Sequence, residues 1–214
     1  MKKTILSITL LCSGLISINA QNAKYVSAME KNLSQFDTAT TIQNYQSYEN
    51  AFERIAGLEK KEWLPVYYAA FANIKMAFNS KGAEAVDSYC DKADKLLAKC
   101  DSLSPKNSEV YTLKGLCAQA RIGVDPMSRG QKYGMEASMD FDQAKSFDAS
   151  NPRIYYLIGQ NKYYTPEQWG GGKKKALPIL EDALKKFETF KPASTIHPNW
   201  GLERTKKLIE ECKK

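Results

Sequence analysis

The chain has 214 residues, enough for one core or a short repeat array; 26% are charged and the formal net charge is +7. The basic residues fall in scattered pairs and one triplet with no aromatic–basic recognition motif, which argues against nucleic acid as a partner. After the first twenty residues no segment approaches the ~20 apolar residues that a bilayer span needs, so no stable membrane insertion is expected.

Residues 1–20 have the layout of a secretory signal peptide. Lys2 and Lys3 form a basic start, an apolar run extends from Thr4 to Ile18, and cleavage after Ala20 leaves Gln21 first. Cys12 follows Leu11 rather than a small residue and comes early, so it reads as part of the signal and not as a lipid-attachment site. The protein is therefore expected to be exported, to the periplasm or cell envelope of a Gram-negative bacterium or beyond it. Removal of the two lysines leaves 29 basic and 24 acidic residues, a net of +5. The charge is uneven, since residues 151–214 hold 13 basic and 7 acidic residues while 21–150 hold 16 and 17. Such a basic C-terminal third suits either a polyanion or, more simply, a solvated helix face.

Apolar residues then recur at three- and four-residue steps, the spacing of helices with one buried face. Residues 21–62 read as an N-terminal helix pair, with stripes Val26, Met29, Leu33, Phe36 and Tyr45, Tyr48, Phe52, Ile55. Residues 63–190 carry further stripes, among them Val86, Cys90, Ala93, Leu97, Cys100 and Tyr133, Ala137, Phe141, Ala144. Residues 191–214 end in a closing helix marked by Leu202, Leu208 and Ile209. Breaks fall at Ser80-Lys81-Gly82, Ser104-Pro105, Ser150-Asn151-Pro152 and Trp169-Gly170-Gly171-Gly172. Asp125-Pro126 reads as an N-cap followed by proline in the first helical position. No sustained alternation supports a strand, and the fold class is all-α.

Within 63–190 a pattern repeats. Ala93, Ala137 and Ala176 are each followed seven residues later by another small residue (Cys100, Ala144, Ala183), with Leu97, Phe141 and Leu180 between. New helices then open with Tyr111 and Gly115 and with Tyr155 and Gly159; Ala93 to Gly115 and Ala137 to Gly159 are both 22 residues. At these residues the chain resembles the tetratricopeptide (TPR) family, whose ~34-residue unit is a helix hairpin with small residues at the crossing. The resemblance implies antiparallel helix pairs stacked as a short right-handed solenoid, about three units long. The units begin near residues 63, 108 and 152, so the first two run about ten residues longer than the family's, and the third has a shorter insert that contains Trp169-Gly170-Gly171-Gly172. The excess lies between the two helices of a unit, as longer helices or longer loops.

The resemblance also implies a groove lined by the first helix of each unit. Its residues would be Tyr67, Phe71 and Lys75 from the first unit, Gln119 from the second, and Arg153, Tyr156, Gln160, Tyr163 and Tyr164 from the third. This aromatic surface suits a protein or peptide partner held by stacking and burial.

Reactive chemistry is not indicated. The single histidine, His197, lies beside Pro198 in a loop-like stretch, and Gly170-Gly171-Gly172-Lys173 lacks the ending of a phosphate-binding loop. Cys90, Cys100, Cys117 and Cys212 have no Cys-x-x-Cys spacing, so no metal site is expected. They allow three complete disulfide pairings, and both free buried thiols and a disulfide stay open. The expectation is an exported, non-catalytic binding protein or scaffold with no cofactor. The alternatives are a small enzyme or accessory subunit acting on envelope material, or polyanion binding through the basic C-terminal third.

Overall fold

The computed structural model describes residues 23–36 and 38–214; the signal-like residues 1–20 lie outside the described residues. Among the described residues every regular element is helical. Helix α1 covers residues 23–36. It is followed by α2 (Ile42–Leu58), α3 (Trp63–Asn79), α4 (Ala83–Leu103), α5 (Ser108–Ile122), α6 (Pro126–Phe147), α7 (Pro152–Tyr164), α8 (Lys173–Thr189) and α9 (Leu202–Lys213). A 3-10 turn, Glu167–Trp169, precedes α8.

Local chemistry sets the helix starts. Asn107 Oδ1 accepts from Glu109 N at 2.9 Å to open α5, and Asn151 Oδ1 accepts from Arg153 N at 3.1 Å to open α7. Asp125 caps α6 by accepting from Met127 N at 3.1 Å, with Pro126 in the first turn where no N–H is needed. Between α7 and α8 the glycines allow a turn that other residues could not make. A Cβ on Gly171 would lie 2.1 Å from the Thr165 carbonyl oxygen, and Gly170 and Gly172 both have positive φ.

The helices pair as the repeat requires: α3 packs most extensively with α4, α5 with α6, and α7 with α8. The first helices of successive units, α3, α5 and α7, touch one another in turn. The small residues of the repeat are buried at these crossings, and Leu97, Phe141 and Leu180 fill the space between them. The approach is close. A Cβ on Gly115 would stand 2.6 Å from the Phe141 ring, and one on Gly159 2.7 Å from Leu180. In the first two units the excess length is helical and not looped, whereas the third carries its insert in the connection at residues 165–172. The turns at residues 80–82 and 123–125 are short, and α4 and α6 run 21 and 22 residues. Ala93 and Ala137 therefore lie near the middles of their helices, and the first turns of α4 and α6 project past the crossing. Arg129 on α6 ties these extensions together by a two-pronged bond to Asp87 on α4, at 2.7 and 2.8 Å.

Helix α2 packs on α3, and α9 covers α8 and α7 through Thr205, Leu208 and Ile209. Between α8 and α9, residues 190–201 form an extended strap over the α3–α5–α7 face. Tyr68 Oη donates to Ile196 O at 3.2 Å, Trp200 Nε1 donates to Tyr67 Oη at 3.0 Å, and Thr195 Oγ1 donates to Glu30 Oε1 at 2.6 Å. Gly201, with φ of +108°, lets the strap turn into α9 where a Cβ would meet Phe187 at 3.0 Å.

Under the strap a polar cluster joins α5 and α7. The Arg153 side chain has no exposure, and its Nε donates to Glu109 Oε1 and Oε2 at 3.0 and 2.8 Å while Nη2 also reaches Oε1. Asn151 Nδ2 donates to the same carboxylate at 2.8 Å.

Two stability predictions follow from this packing. Gly115→Val should destabilise the protein by about 1–3 kcal/mol in urea unfolding, because the Phe141 ring has nowhere to retreat; in a Phe141→Leu background the penalty should shrink, and an equal penalty there would show that the crossing is not the cause. Glu109→Ala should cost about 3–5 kcal/mol by leaving the Arg153 charge buried alone, whereas a paired Glu109→Leu, Arg153→Met variant should recover most of that loss.

Candidate binding sites

The residues expected to line a groove divide into a buried set and an outer set. Tyr67 and Phe71 on α3 and Tyr156 on α7 converge on Trp200 of the strap, with Phe71 and Trp200 ring centroids 4.7 Å apart and Tyr156 and Trp200 6.3 Å apart. Arg153 lies among them, its guanidinium 4.4 Å from the Phe190 ring centroid and 5.8 Å from that of Trp200. Gln119 is also buried, where its Nε2 donates to Leu157 O at 3.3 Å. Burial and the Glu109 charge push the Tyr67 phenol well above its ordinary pKa, and burial does the same for Tyr156. Burial alone would lower the pKa of Arg153, but the Glu109 carboxylate outweighs it and the net shift is upward. Each of these polar groups is thus held in its ordinary neutral or cationic form.

The outer set does not converge on the same point. Lys75 lies near Tyr45 of α2, with Nζ 5.8 Å from the ring centroid. Gln160 accepts from Tyr156 Oη at 2.5 Å. Tyr163 and Tyr164 contact each other edge-on at 5.0 Å, and Tyr164, which is 62% exposed, accepts a hydrogen bond from Arg204 on α9. The α3–α5–α7 face therefore already holds an extended peptide segment, the chain's own strap. A ligand reaching Tyr67 or Arg153 has to displace Trp200.

His197 belongs to this strap. It is half-buried, its Nδ1 lies 2.7 Å from Ser194 Oγ, and its ring meets Trp63 edge-on at 5.9 Å. Burial lowers its pKa, so it is neutral at physiological pH.

An open site lies elsewhere, where α3 turns into α4 and α5 ends. A cleft of about 300 Å³ is lined by Ala77, Phe78, Ser80, Lys81, Gly82, Val86, Ala120, Gly123 and Val124. Phe78 is 46% exposed, an uncommon state for phenylalanine on an otherwise buried helix. The lining is mixed: Ala77, Phe78, Val86, Ala120 and Val124 supply apolar surface, and Ser80, Lys81 and the backbone at Gly82 and Gly123 supply polar surface, with Lys81 the charged side chain on the rim. Gly82 opens α4 without a side-chain cap, so the positive end of that helix faces the same rim. The lining has no thiol, thioether, phenol or imidazole. An acidic group of a ligand in this slot would meet Lys81 and the start of α4, and its apolar part would meet Phe78. Sequence reasoning missed these residues because they come from two turns 40 residues apart. The exposed position of Phe78 at the end of α3 was the available signal.

No protein-family model and no curated protein matches this chain, so the likeness to tetratricopeptide repeats rests on the spacing of small residues and on the helix pairing. Among solved structures, the chain is similar to the HusA haemophore from Porphyromonas gingivalis, with a TM-score of 0.79 and 33% sequence identity over 88% of this chain and 92% of that one. Identity at that level along nearly the whole of both chains exceeds a shared fold, and this chain belongs to the same family of helical proteins as the HusA haemophore.

Proposed function

We propose that this protein is a non-catalytic carrier that binds haem or a closely related tetrapyrrole. The observation that carries the proposal is the similarity to a haemophore along 92% of that protein's length. The open cleft supports it and supplies a mode of binding. One face of the macrocycle rests on Phe78 at the mouth of the cleft, and the carboxylates of the ring reach Lys81 and the start of α4. Each 100 Å² of ring face removed from water contributes about 2.5 kcal/mol before the cost of immobilisation. Haem is cargo in this reading. Export through residues 1–20 to the periplasm, the cell envelope or the medium belongs to the same proposal, because a carrier must meet its cargo outside the cytoplasm.

A second reading has one observation in its favour: the α3–α5–α7 face holds residues 190–201 as it would hold a partner peptide. Trp200→Ala should then expose the face and let a synthetic peptide of residues 190–201 bind to the variant. Failure of that peptide to bind removes this reading.

Titration with haemin, followed in the Soret band and by tryptophan quenching, tests the carrier proposal. Binding is expected for haemin and, within a few-fold, for metal-free protoporphyrin, since the cleft offers iron no ligand. Phe78→Asp should weaken both by more than about tenfold by placing a charge against the ring. Lys81→Glu should weaken both less, with a loss that grows at low ionic strength. A wild-type protein that leaves the Soret band unchanged rejects the function. Wild-type binding that Phe78→Asp does not alter rejects the cleft as the place.

A further inference from the structure

Cys90 on α4 and Cys117 on α5 are both fully buried and face each other across the interhelical gap. The contacts are reciprocal: Cys90 Sγ lies 3.8 Å from Cys117 O, and Cys117 Sγ lies 3.7 Å from Cys90 O. Arg121 Nη1 donates to Cys117 Sγ at 3.5 Å, so a cation stands beside the pair. The other cysteines have different surroundings. Cys100 donates to Trp63 O at 3.6 Å, and Cys212 is half-buried on α9.

We propose that Cys90 and Cys117 are an oxidisable pair that closes to an intramolecular disulfide when the chain folds in contact with a disulfide-bearing oxidant, either a small oxidised thiol or a thiol–disulfide oxidoreductase. One cysteine, as thiolate, attacks a sulfur of the oxidant, forming a mixed disulfide and expelling the oxidant's first thiolate. The second cysteine, as thiolate, attacks the protein sulfur of that mixed bond and expels the second. Two protons leave the protein, the two cysteines lose two electrons, and the oxidant is released as two thiols.

Timing follows from burial. The neighbouring Cys90 thiol and then burial push the Cys117 thiol far above its ordinary pKa, so in the packed protein Cys117 holds almost no thiolate. Oxidation therefore belongs to the stage at which α4 and α5 approach, before the gap is sealed. Once formed, the bond is shielded from reductants by the same burial. Its place also matters for the cleft, because Val86 lies one turn before Cys90 and Ala120 one turn after Cys117, and both line it. The link would fix two walls of the cleft to each other.

The test uses the full chain, unfolded in reductant and then refolded either in excess reductant or in a glutathione redox buffer. The chain has five cysteines. Five reactive thiols are expected in denaturant after the reducing arm and three (5 − 2) after the redox arm, with peptide mapping joining Cys90 to Cys117. The oxidised form should show an unfolding equilibrium constant lower by on the order of a hundredfold, as expected for a loop of this length. Reductant should break the bond only after denaturant is added. Cys90→Ser should abolish both the link and the stabilisation. Five reactive thiols after the redox arm, a link between other cysteines, or unchanged unfolding of the linked protein would each overturn the proposal, and the thiol count and map need no variant to fold.

Discussion

The structure depends on how closely two antiparallel helices approach where one offers no side chain. At Gly115 the Phe141 ring, and at Gly159 the Leu180 side chain, occupy the space a Cβ would take. This contact sets the separation of α5 from α6 and of α7 from α8. Ala93, Ala137 and Ala176, all buried, keep the opposite wall of each crossing equally thin. Because each pair presents its first helix to the next, the same separation repeated along the chain brings α3, α5 and α7 side by side. The face on which everything else is built thus follows from a few positions with little or no side chain.

Two features follow from that frame, and they differ in openness. The α3–α5–α7 face is aromatic, and the chain covers it with its own strap through Trp200, Ile196 and Phe190. Beneath the strap, Glu109 and Arg153 form an ion pair in which Nε and Nη2 of Arg153 and Nδ2 of Asn151 donate to the carboxylate, while Arg153 Nη1 is buried without a hydrogen-bond partner. A buried pair of this kind is costly to desolvate and strongly penalised when half-broken, so it favours one register of α7 on α5. The second feature is the cleft at the far end of α3. It exists because α4 and α6 begin well before their crossings, leaving the short turns at 80–82 and 123–125 to line a gap that no side chain fills. The Arg129–Asp87 bond keeps the projecting turns in place.

Much of the fold was readable from residue spacing. The caps at Asn107, Asp125 and Asn151 are local, since each side chain accepts from an N–H two residues ahead. The interval from Ala93 to Gly115 is also local in a sense, because it measures the length of one helix plus its turn. The groove residues were readable only as helix positions. Tyr67 and Tyr156 do face inward, but what they face is Trp200, 133 residues from Tyr67 along the chain. No periodicity encodes a contact at that distance. Phe78, Val86 and Val124 were passed over for the same reason: each looks like an ordinary apolar position of its own segment, and the gap they border appears only when two turns meet.

By itself, then, the sequence determined that the chain is helical, where its helices begin, and which of them pair. Helix formation, capping and close packing at glycine and alanine are set by residues within a few turns of each other. Only the tertiary structure decided that the excess length of the first two units is helical, that the aromatic face is covered from within, and that an open slot remains at the opposite end. Those outcomes depend on where distant segments come to rest, which is settled by the total apolar surface buried and not by any local pattern.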